Sequence, residues 1–362
     1  MPPGLPQASF FRPAAYKDWR FEREFYRAAY AASTVVHLTH AECMDGATCD
    51  ALVRRAYGDG AVETVFLEPH ETVDALEMLL RVPSRARGLA ISDLSMQRGE
   101  SERALQALLA LADDGWRIAW RDHHHKQWEG VDLAAFDEPC ELTVDATGTE
   151  CGASLVQKAL LPDDPWAKDL ASVARDHDLW LRQDPRSMTL FHAIVEAGSR
   201  RWIRHLLARR VVVDAQVEAW AARDRKRNAK LVAWALARSR VVKGQEARVG
   251  LAYGRVPTNE VLHALEEKGC HLSILVKPTG AFSLRSRKDV PVCHAIAQQF
   301  GGGGHPNASG GRLGLGSLSL VSLWSRGLDH RAARALARRA VAEVDKHLAV
   351  TKESESPRSP SP

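Results

Sequence analysis

The sequence predicts an α/β fold with a parallel-sheet N-terminal domain, a helical connector and a smaller C-terminal α/β domain. In the first half, β-branched or apolar runs alternate with segments such as Asp74–Leu80 and Ser101–Ala112, whose apolar residues recur at helical spacing. This alternation is typical of a parallel sheet covered on both faces by helices. The runs predicted to be strands are Thr34–Thr39, Val62–Leu67, Gly88–Ser92, Arg117–Arg121 and Glu141–Val144.

The rest of the chain divides into a helical stretch and a second α/β unit. Helical patterns dominate from Gly152 to Arg240, and the second unit begins near Arg248. Its predicted strands are Val249–Tyr253, His271–Lys277, Ala281–Arg285 and a run near Gly311–Leu315, and its predicted helices are Asn259–Lys268, Val292–Phe300 and His330–Leu348.

These patterns set the predicted domain boundaries. We expect a leader with a helix (residues 1–30), the parallel-sheet domain (31–198), a basic helical connector (199–245), the second α/β domain (246–349) and a tail (350–362). The tail, TKESESPRSPSP from Thr351, is of low complexity and is predicted to be disordered.

Composition narrows the class of protein. The 362 residues are 45% hydrophobic and 26% charged, which excludes collagen-like, coiled-coil and wholly disordered chains. The six cysteines are scattered, which favours a reducing compartment over a disulfide scaffold. There is neither an apolar run long enough to span a membrane nor an apolar signal segment at the start, so we expect a cytoplasmic protein without a membrane partner.

Charge is concentrated in one stretch of the chain. Thirteen Lys or Arg residues and only three acids lie between Arg200 and Lys243, although the formal net charge of the chain is +4. A basic stretch on an otherwise acidic protein fits a phosphate-bearing ligand. A solvated, arginine-rich helix surface explains the same pattern equally well.

Candidate metal ligands follow three of the predicted strands, and two more lie in the helical region. They are His40 and Asp45 after the first strand, Asp93 after the third, Asp122, His123 and His124 after the fourth, and Asp176 and Asp178 in the helical region. The carboxyl ends of parallel strands share one edge of a sheet, which is where ligands bind. Carboxylates mixed with imidazoles suit a pair of divalent ions, Mn²⁺ first among them. Any one of these residues alone would be a turn residue, a helix cap or an ordinary histidine.

A glycine-rich segment in the second half is the other candidate site. Four consecutive glycines, Gly301–Gly304, precede His305 between a predicted helix and a predicted strand. Such a run costs backbone entropy and is useful where main-chain N–H groups approach an anion closely. A flexible turn is the alternative, but it requires neither four glycines nor the histidine.

At these residues the sequence resembles the DHH phosphoesterase superfamily, which is named for the run found here as Asp122-His123-His124. It looks most like the branch with a C-terminal DHH-associated domain, the oligoribonuclease-like and RecJ-like members. That branch carries a glycine-rich motif found here as Gly302-Gly303-Gly304-His305. The resemblance covers roughly residues 33 to 348, with the motifs in the expected order.

The resemblance implies a domain that holds two divalent ions, usually Mn²⁺, and a second domain that grips a nucleic acid or nucleotide. It implies metal-binding roles for His40, Asp45, Asp93 as a bridging carboxylate, His123, and Asp176 or Asp178, with Asp176 preferred. It implies catalytic roles for Asp93, Asp122, His123 and His124. It implies substrate contacts for His124, Arg285, Ser286, Gly302, Gly303, Gly304 and His305.

The first motif departs from the usual family pattern. Many members have Asp-x-Asp before the glycine, whereas this chain has Cys43-Met44-Asp45. A subgroup with Cys-Pro-Asp-Gly resembles it here, so the change need not abolish activity. One ligand position is therefore left to a cysteine, to water or to nothing.

The expected activity is two-metal hydrolysis of short single-stranded RNA or DNA, as in a nanoRNase or exonuclease, with Mg²⁺ or Co²⁺ as alternatives to Mn²⁺. Rival substrates are a cyclic dinucleotide, a bisphosphate nucleotide, pyrophosphate and polyphosphate. A further rival is a nucleic-acid-binding paralogue whose metal site has decayed at Cys43. The retained acids and histidines weigh against that rival. RNA against DNA, cleavage polarity and a homodimer stay open.

Overall fold

The computed structural model describes residues 34–41, 43–81, 86–313 and 331–355. The chain forms two compact units that divide between Asp224 and Arg225. The predicted leader (1–30) and residues 356–362 of the predicted tail lie outside the described residues.

The first unit is built on a five-stranded parallel sheet, so the predicted fold class is confirmed. Its strands, which lie in the order β2-β1-β3-β4-β5, are β1 (Val35–His40), β2 (Val62–Leu67), β3 (Gly88–Ser92), β4 (Arg117–Asp122) and β5 (Glu141–Val144). Five of the six residues of β1 are buried, as expected for a strand covered on both faces. Because β1, β3 and β4 are neighbours, their carboxyl ends lie side by side at one edge of the sheet.

Helices cover both faces of this sheet and give each face its own apolar core. They are α1 (Met44–Tyr57), α2 (Thr72–Leu79), α3 (Ser101–Asp113), α4 (Ala134–Asp137), α5 (Gly152–Leu160), α6 (Pro165–Asp178), α7 (Pro185–Ala197), α8 (Ser199–Arg209) and α9 (Ala215–Arg238). One core joins α1 to α5, α6, α7 and α8, and the other joins α2, α3 and α4 around Trp120. Single turns of 3₁₀ helix lie at Asp59–Ala61, Pro69–Glu71 and His125–Gln127.

The second unit contains a six-stranded mixed sheet in the order β10-β11-β9-β8-β7-β6. Its strands are β6 (Arg240–Lys243), β7 (Arg248–Tyr253), β8 (Leu272–Val276), β9 (Ala281–Ser286), β10 (Gly303–His305) and β11 (Ala308–Arg312). Strands β7 and β8 pair in parallel, and the other neighbours pair antiparallel. Its helices are α10 (Thr258–Glu267), α11 (Cys293–Gln298) and α12 (Arg331–Glu355).

Three features of the second unit differ from the sequence prediction. Strand β6 lies in the stretch predicted to be a helical connector, and its strand conformation depends on pairing with β7. The glycine segment forms strand β10 in a hairpin with β11, although glycine disfavours strands. Helix α12 continues to Glu355, whereas we expected disorder from residue 350, because its last turns lack an apolar period.

The basic stretch lies on the surface. All thirteen Lys and Arg residues between Arg200 and Lys243 are exposed, on α8, α9 and the segments that follow them. Within the described residues, none of the helices combines the length and the apolar character needed to cross a membrane.

The side chain of Asp345, on α12, stabilises the turn between β6 and β7. Its carboxylate accepts the backbone N–H groups of Gln245, Glu246 and Ala247 at 3.0, 2.8 and 2.7 Å. We expect Asp345→Asn to destabilise the second unit by about 1–3 kcal/mol, because hydrogen bonds to charged acceptors contribute that much. Amide hydrogen exchange at these three positions measures the loss.

The stabilising effect of Asp345 also depends on pH. Burial raises the pKa of Asp345, but the three N–H groups outweigh burial and lower the pKa below its ordinary value. The stabilisation is therefore complete above about pH 4 and is lost as the pH falls through the lower folded-state pKa. The wild type and Asp345→Asn should converge in acid, while Glu343→Gln, which removes a surface ion pair with Arg339 and can keep the long hydrogen bond from Gln299, should match the wild type throughout.

Candidate metal centre

The carboxyl edge of the first sheet gathers the predicted acids and imidazoles. His40 ends β1, Asp93 directly follows β3, and His123 directly follows β4. The register of the neighbouring strands brings these three positions to one place. Asp45 enters from the first turn of α1, and Asp178 enters from the last residue of α6.

Distances between side-chain atoms show how closely these groups approach. The Nε2 atom of His123 lies 3.2 Å from Asp93 Oδ1 and 3.8 Å from Asp45 Oδ2. Its Nδ1 atom lies 3.6 Å from Asp178 Oδ2, and His40 Nδ1 lies 3.7 Å from Asp93 Oδ2. Three groups of side chains bring their ligand atoms within 4.8 Å of one another: His40, Cys43 and Asp93; Asp93, His123 and His124; and Asp45, His123 and Asp178.

Asp93, which like His123 belongs to two of these groups, has an uncommon backbone conformation and an unpartnered side-chain oxygen. Its backbone has φ 51°, in the left-handed region that non-glycine residues rarely adopt. Its side chain is buried, and Oδ2 has no hydrogen-bond partner among the described residues. A buried carboxylate oxygen without a donor is costly unless a cation binds it.

Asp45 is anchored at the start of α5. Its two carboxylate oxygens accept the backbone N–H groups of Gly152 at 2.6 Å and Ala153 at 2.9 Å, which are free donors because they open a helix. A Cβ atom on Gly152 would lie 2.6 Å from Asp93 Cβ and 2.9 Å from Asp45 Oδ2. A Cβ atom on Gly46 would overlap the carbonyl oxygen of His40. Gly152 is therefore needed for the two carboxylates to approach, and Gly46 for α1 to pack against the end of β1.

The charges of the clustered side chains favour the binding of a cation. Burial, Asp93 and Asp178 all raise the pKa of Asp45 well above its ordinary value. Burial lowers the pKa of His123, but Asp93, Asp45 and Asp178 outweigh burial and raise it to about 9. Divalent cations reverse such shifts by stabilising carboxylates and neutral imidazoles. The donor set and the unpartnered Asp93 oxygen fit divalent metal ions.

The residues of the Asp-His-His run differ in burial: Asp122 is buried, whereas His123 and His124 are half-buried. Asp122 is fully buried and accepts hydrogen bonds from His123 N at 2.9 Å, His124 Nδ1 at 2.7 Å and Trp128 Nε1 at 2.7 Å. Burial raises the pKa of Asp122, but the contacts with His124, Trp128 and His123 outweigh burial and lower it. Asp122 thus holds both histidines by hydrogen bonds, and its catalytic role stays a prediction.

The structure discriminates between Asp176 and Asp178. Asp178 lies beside His123, whereas Asp176 accepts the backbone N–H groups of Gln183 at 2.7 Å and Asp184 at 3.1 Å. Asp176 belongs to none of the three ligand groups formed by the described residues. The geometry thus favours Asp178, against the preference for Asp176 inferred from sequence, because two positions along a helix differ by more than half a turn.

Buried polar side chains next to the cluster form a hydrogen-bond network that the sequence did not predict. His37 lies with Nε2 2.7 Å from Ser92 Oγ and Nδ1 3.2 Å from Asp50 Oδ1. Because Ser92 directly precedes Asp93, this network fixes the end of β3. Glu68, whose Oε2 lies 3.9 Å from His40 Nε2, is a further acid at the edge that the sequence did not point to. Both contacts join residues far apart in the chain.

Six of the seven residues predicted to contact substrate lie in the second unit, whereas His124 lies in the first. Arg285 and Ser286 end β9, and Ala308 of the β10–β11 hairpin pairs with Arg285. Gly302 and Gly304 are required there, since a Cβ atom on the first would overlap the carbonyl oxygen of Gly310 and one on the second would lie 2.7 Å from that of Ala308. The structure therefore gives these glycines a packing role, and His305 beside them is exposed. Gly303, by contrast, is a glycine whose Cβ would meet nothing among the described residues.

Comparisons with solved structures identify the fold, while no protein-family model and no curated protein matches the chain. The DHH domain of a member of the s1p family of ribosomal proteins aligns with a TM-score of 0.56 at 14% identity, over 89% of this chain and 90% of that one. The chain shares the fold of this DHH domain. RecJ from Thermus thermophilus, solved in complex with Mn²⁺, aligns with a TM-score of 0.52 at 15% identity, over 93% of this chain and 59% of RecJ.

The DHH fold confirms the resemblance inferred from the two motifs. This chain spans somewhat more than half of the RecJ chain that it matches. At this level of identity the likeness establishes the architecture alone.

Gly152 offers a test of the metal centre that leaves every ligand in place. We expect Gly152→Ala to weaken Mn²⁺ binding by about tenfold or more, because the new methyl group must push Asp93 away from Asp45. Isothermal titration calorimetry with Mn²⁺ measures the change. Gly60→Ala is the matched control, since its Cβ would meet no described atom within 4 Å. Equal affinities in the two variants would mean that the Asp45 and Asp93 carboxylates do not bind a common metal centre.

Proposed function

We propose that the chain is a metal-dependent phosphodiesterase that hydrolyses short single-stranded oligonucleotides. The observation that carries the proposal is the convergence of Asp45, Asp93 and Asp178 around His123, with one buried Asp93 oxygen left unpartnered among the described residues. Such a cluster is unstable by itself and suits two divalent cations.

The residues that would hold the ions are the carboxylates and imidazoles gathered at the carboxyl edge of the first sheet. They are His40, Asp45, Asp93, His123 and Asp178, with Asp93 placed to serve both ions. Mn²⁺ fits this mixture of carboxylate and imidazole best, and Mg²⁺ and Co²⁺ are alternatives. Bound ions would supply Lewis acidity and lower the pKa of an attacking water.

His124 is the group that faces the substrate. Its Nδ1 is held by Asp122, which leaves Nε2 to donate to a phosphoryl oxygen. Burial lowers the pKa of His124, but the hydrogen bond and charge of Asp122 outweigh burial and raise it. A protonated His124 would stabilise negative charge that grows on the phosphoryl group in the transition state.

An oligonucleotide suits the chain better than a small inorganic phosphate. The thirteen basic residues between Arg200 and Lys243 are all exposed, and positive charge spread over so many side chains attracts a polyanion more than a single phosphate. In the second unit, Arg285, Ser286 and His305 together with Gly302, Gly303 and Gly304 are proposed to bind the nucleotide. RecJ, which has the same fold, is an exonuclease.

Removal of a central ligand tests the activity. We expect His123→Ala and Asp93→Asn to reduce oligonucleotide hydrolysis with Mn²⁺ by more than about a hundredfold, because each removes a proposed metal contact. Circular dichroism should show that both variants stay folded. His263→Ala, which removes an exposed histidine on α10, should retain full activity. Near wild-type turnover of His123→Ala would overturn the assignment.

Trp128 tests the positioning role of Asp122 without touching a ligand. We expect Trp128→Phe to lower kcat about tenfold and to leave the affinity for Mn²⁺ unchanged within about twofold, because Asp122 then loses a donor and holds His124 less firmly. Steady-state kinetics and calorimetry measure the two effects. The control is Trp116→Phe, since Trp116 is also buried but precedes the opposite end of β4. An unchanged kcat would mean that the Trp128–Asp122 bond serves stability alone.

A substrate panel separates the oligonucleotidase from its rivals. End-labelled short and long RNA and DNA, a cyclic dinucleotide, a bisphosphate nucleotide, pyrophosphate and polyphosphate are incubated with the enzyme and Mn²⁺. We expect the shortest oligonucleotides to be hydrolysed fastest. Faster turnover of any of the small phosphates would replace the proposed substrate, and binding of oligonucleotides without hydrolysis of any member would indicate a non-catalytic protein.

A further inference from the structure

Cys43 is a side chain of the metal centre that the proposed activity does not use. It is the N-cap residue of α1, with an extended backbone at φ −117° and ψ 144°, and it is half-buried. Its sulfur lies within 4.8 Å of a ligand atom of His40 and of one of Asp93. Burial and the nearby carboxylates of Asp93 and Asp45 raise the pKa of the Cys43 thiol, so a bound divalent cation is what would favour the thiolate.

A second observation points independently to a cation at this place. Asp93 Oδ2 is the atom that lies 3.7 Å from His40 Nδ1, and it has no hydrogen-bond partner among the described residues. Asp93 is only 1% exposed, so water does not replace the missing partner from bulk solvent. An imidazole nitrogen, a sulfur and an unpartnered carboxylate oxygen thus converge on one position.

We propose that Cys43 is a metal ligand, and that its thiolate, His40 and Asp93 bind one ion of the centre through one sulfur, one nitrogen and one oxygen donor. This inference rests on the proposed metal centre and goes beyond it by assigning the donor and the preference of one site. Thiolate ligands favour Zn²⁺, Co²⁺ and Cd²⁺ over Mg²⁺, whereas carboxylates favour Mg²⁺ and Mn²⁺.

The two halves of the centre then differ in metal preference. The group around His123, with Asp45 and Asp178, offers only oxygen and nitrogen donors and suits Mn²⁺ or Mg²⁺. The group around Cys43 suits a softer ion. The protein is therefore expected to bind two different divalent ions when both kinds are supplied.

Cobalt spectroscopy tests the ligand directly. Co²⁺ is titrated into the metal-free protein, and the near-ultraviolet absorption from sulfur-to-cobalt charge transfer is recorded together with the visible cobalt bands. We expect the charge-transfer band in the wild type and its loss in Cys43→Ser. Cys270→Ser, which changes a buried thiol of the second unit, should retain the band.

A carboxylate at the same position supplies the reciprocal measurement. We expect Cys43→Asp to shift the ratio of Cd²⁺ to Mn²⁺ affinity toward Mn²⁺ by about tenfold or more, because an oxygen replaces the sulfur. Calorimetry with each ion alone gives the ratio. Cys43→Asp also provides a second variant, should Cys43→Ser fail to fold.

The results distinguish this inference from the proposed activity. Visible cobalt bands without charge transfer in the wild type, or a charge-transfer band that survives in Cys43→Ser, would overturn the ligand role of Cys43. Failure to bind Co²⁺ at all would overturn the metal centre and the ligand with it. A charge-transfer band in a protein that hydrolyses none of the phosphate esters would support the ligand and refute the phosphodiesterase.

Discussion

The first unit is constrained by three carboxylates that repel one another and are nevertheless held close together and away from water. Asp45, Asp93 and Asp178 surround His123, and two of the three are almost completely buried. Burying like charges costs several kcal/mol per ion unless opposite charge is present. Even with His40 near Asp93, the imidazoles leave Asp93 Oδ2 without a hydrogen-bond partner among the described residues, so the cluster is best understood as a site prepared for cations.

The surrounding scaffold keeps these groups in place against that repulsion. The first N–H groups of α5 hold Asp45, and the left-handed backbone at Asp93 turns its carboxylate toward the same point. Gly152 lets the two acids approach, while His37 and Ser92 fix the end of β3 from below. Strain and fully bonded buried polar groups are typical of sites whose geometry serves a function.

The second unit is built by different means. Its sheet is mixed rather than parallel, and its glycine-rich motif is a hairpin whose glycines allow β10 and β11 to pack closely. The motif therefore has a structural reason to exist beside any role with an anion. Arg285, Ser286 and His305 lie around this hairpin and are the residues that we propose bind a phosphate-bearing ligand.

The sequence alone determined the parallel strands, the amphipathic helices and the strand ends that carry acids and histidines, because periodicity and strand-end position are local properties. Through two short motifs it also pointed to the DHH fold that the structure shows. Only the tertiary structure decided that Asp178 rather than Asp176 reaches His123, that Asp122 orients His124, and that the glycines form a strand. It alone placed Cys43 beside His40 and Asp93. These outcomes depend on contacts between residues far apart in the chain or on the direction of one side chain, and neither is encoded in a local pattern.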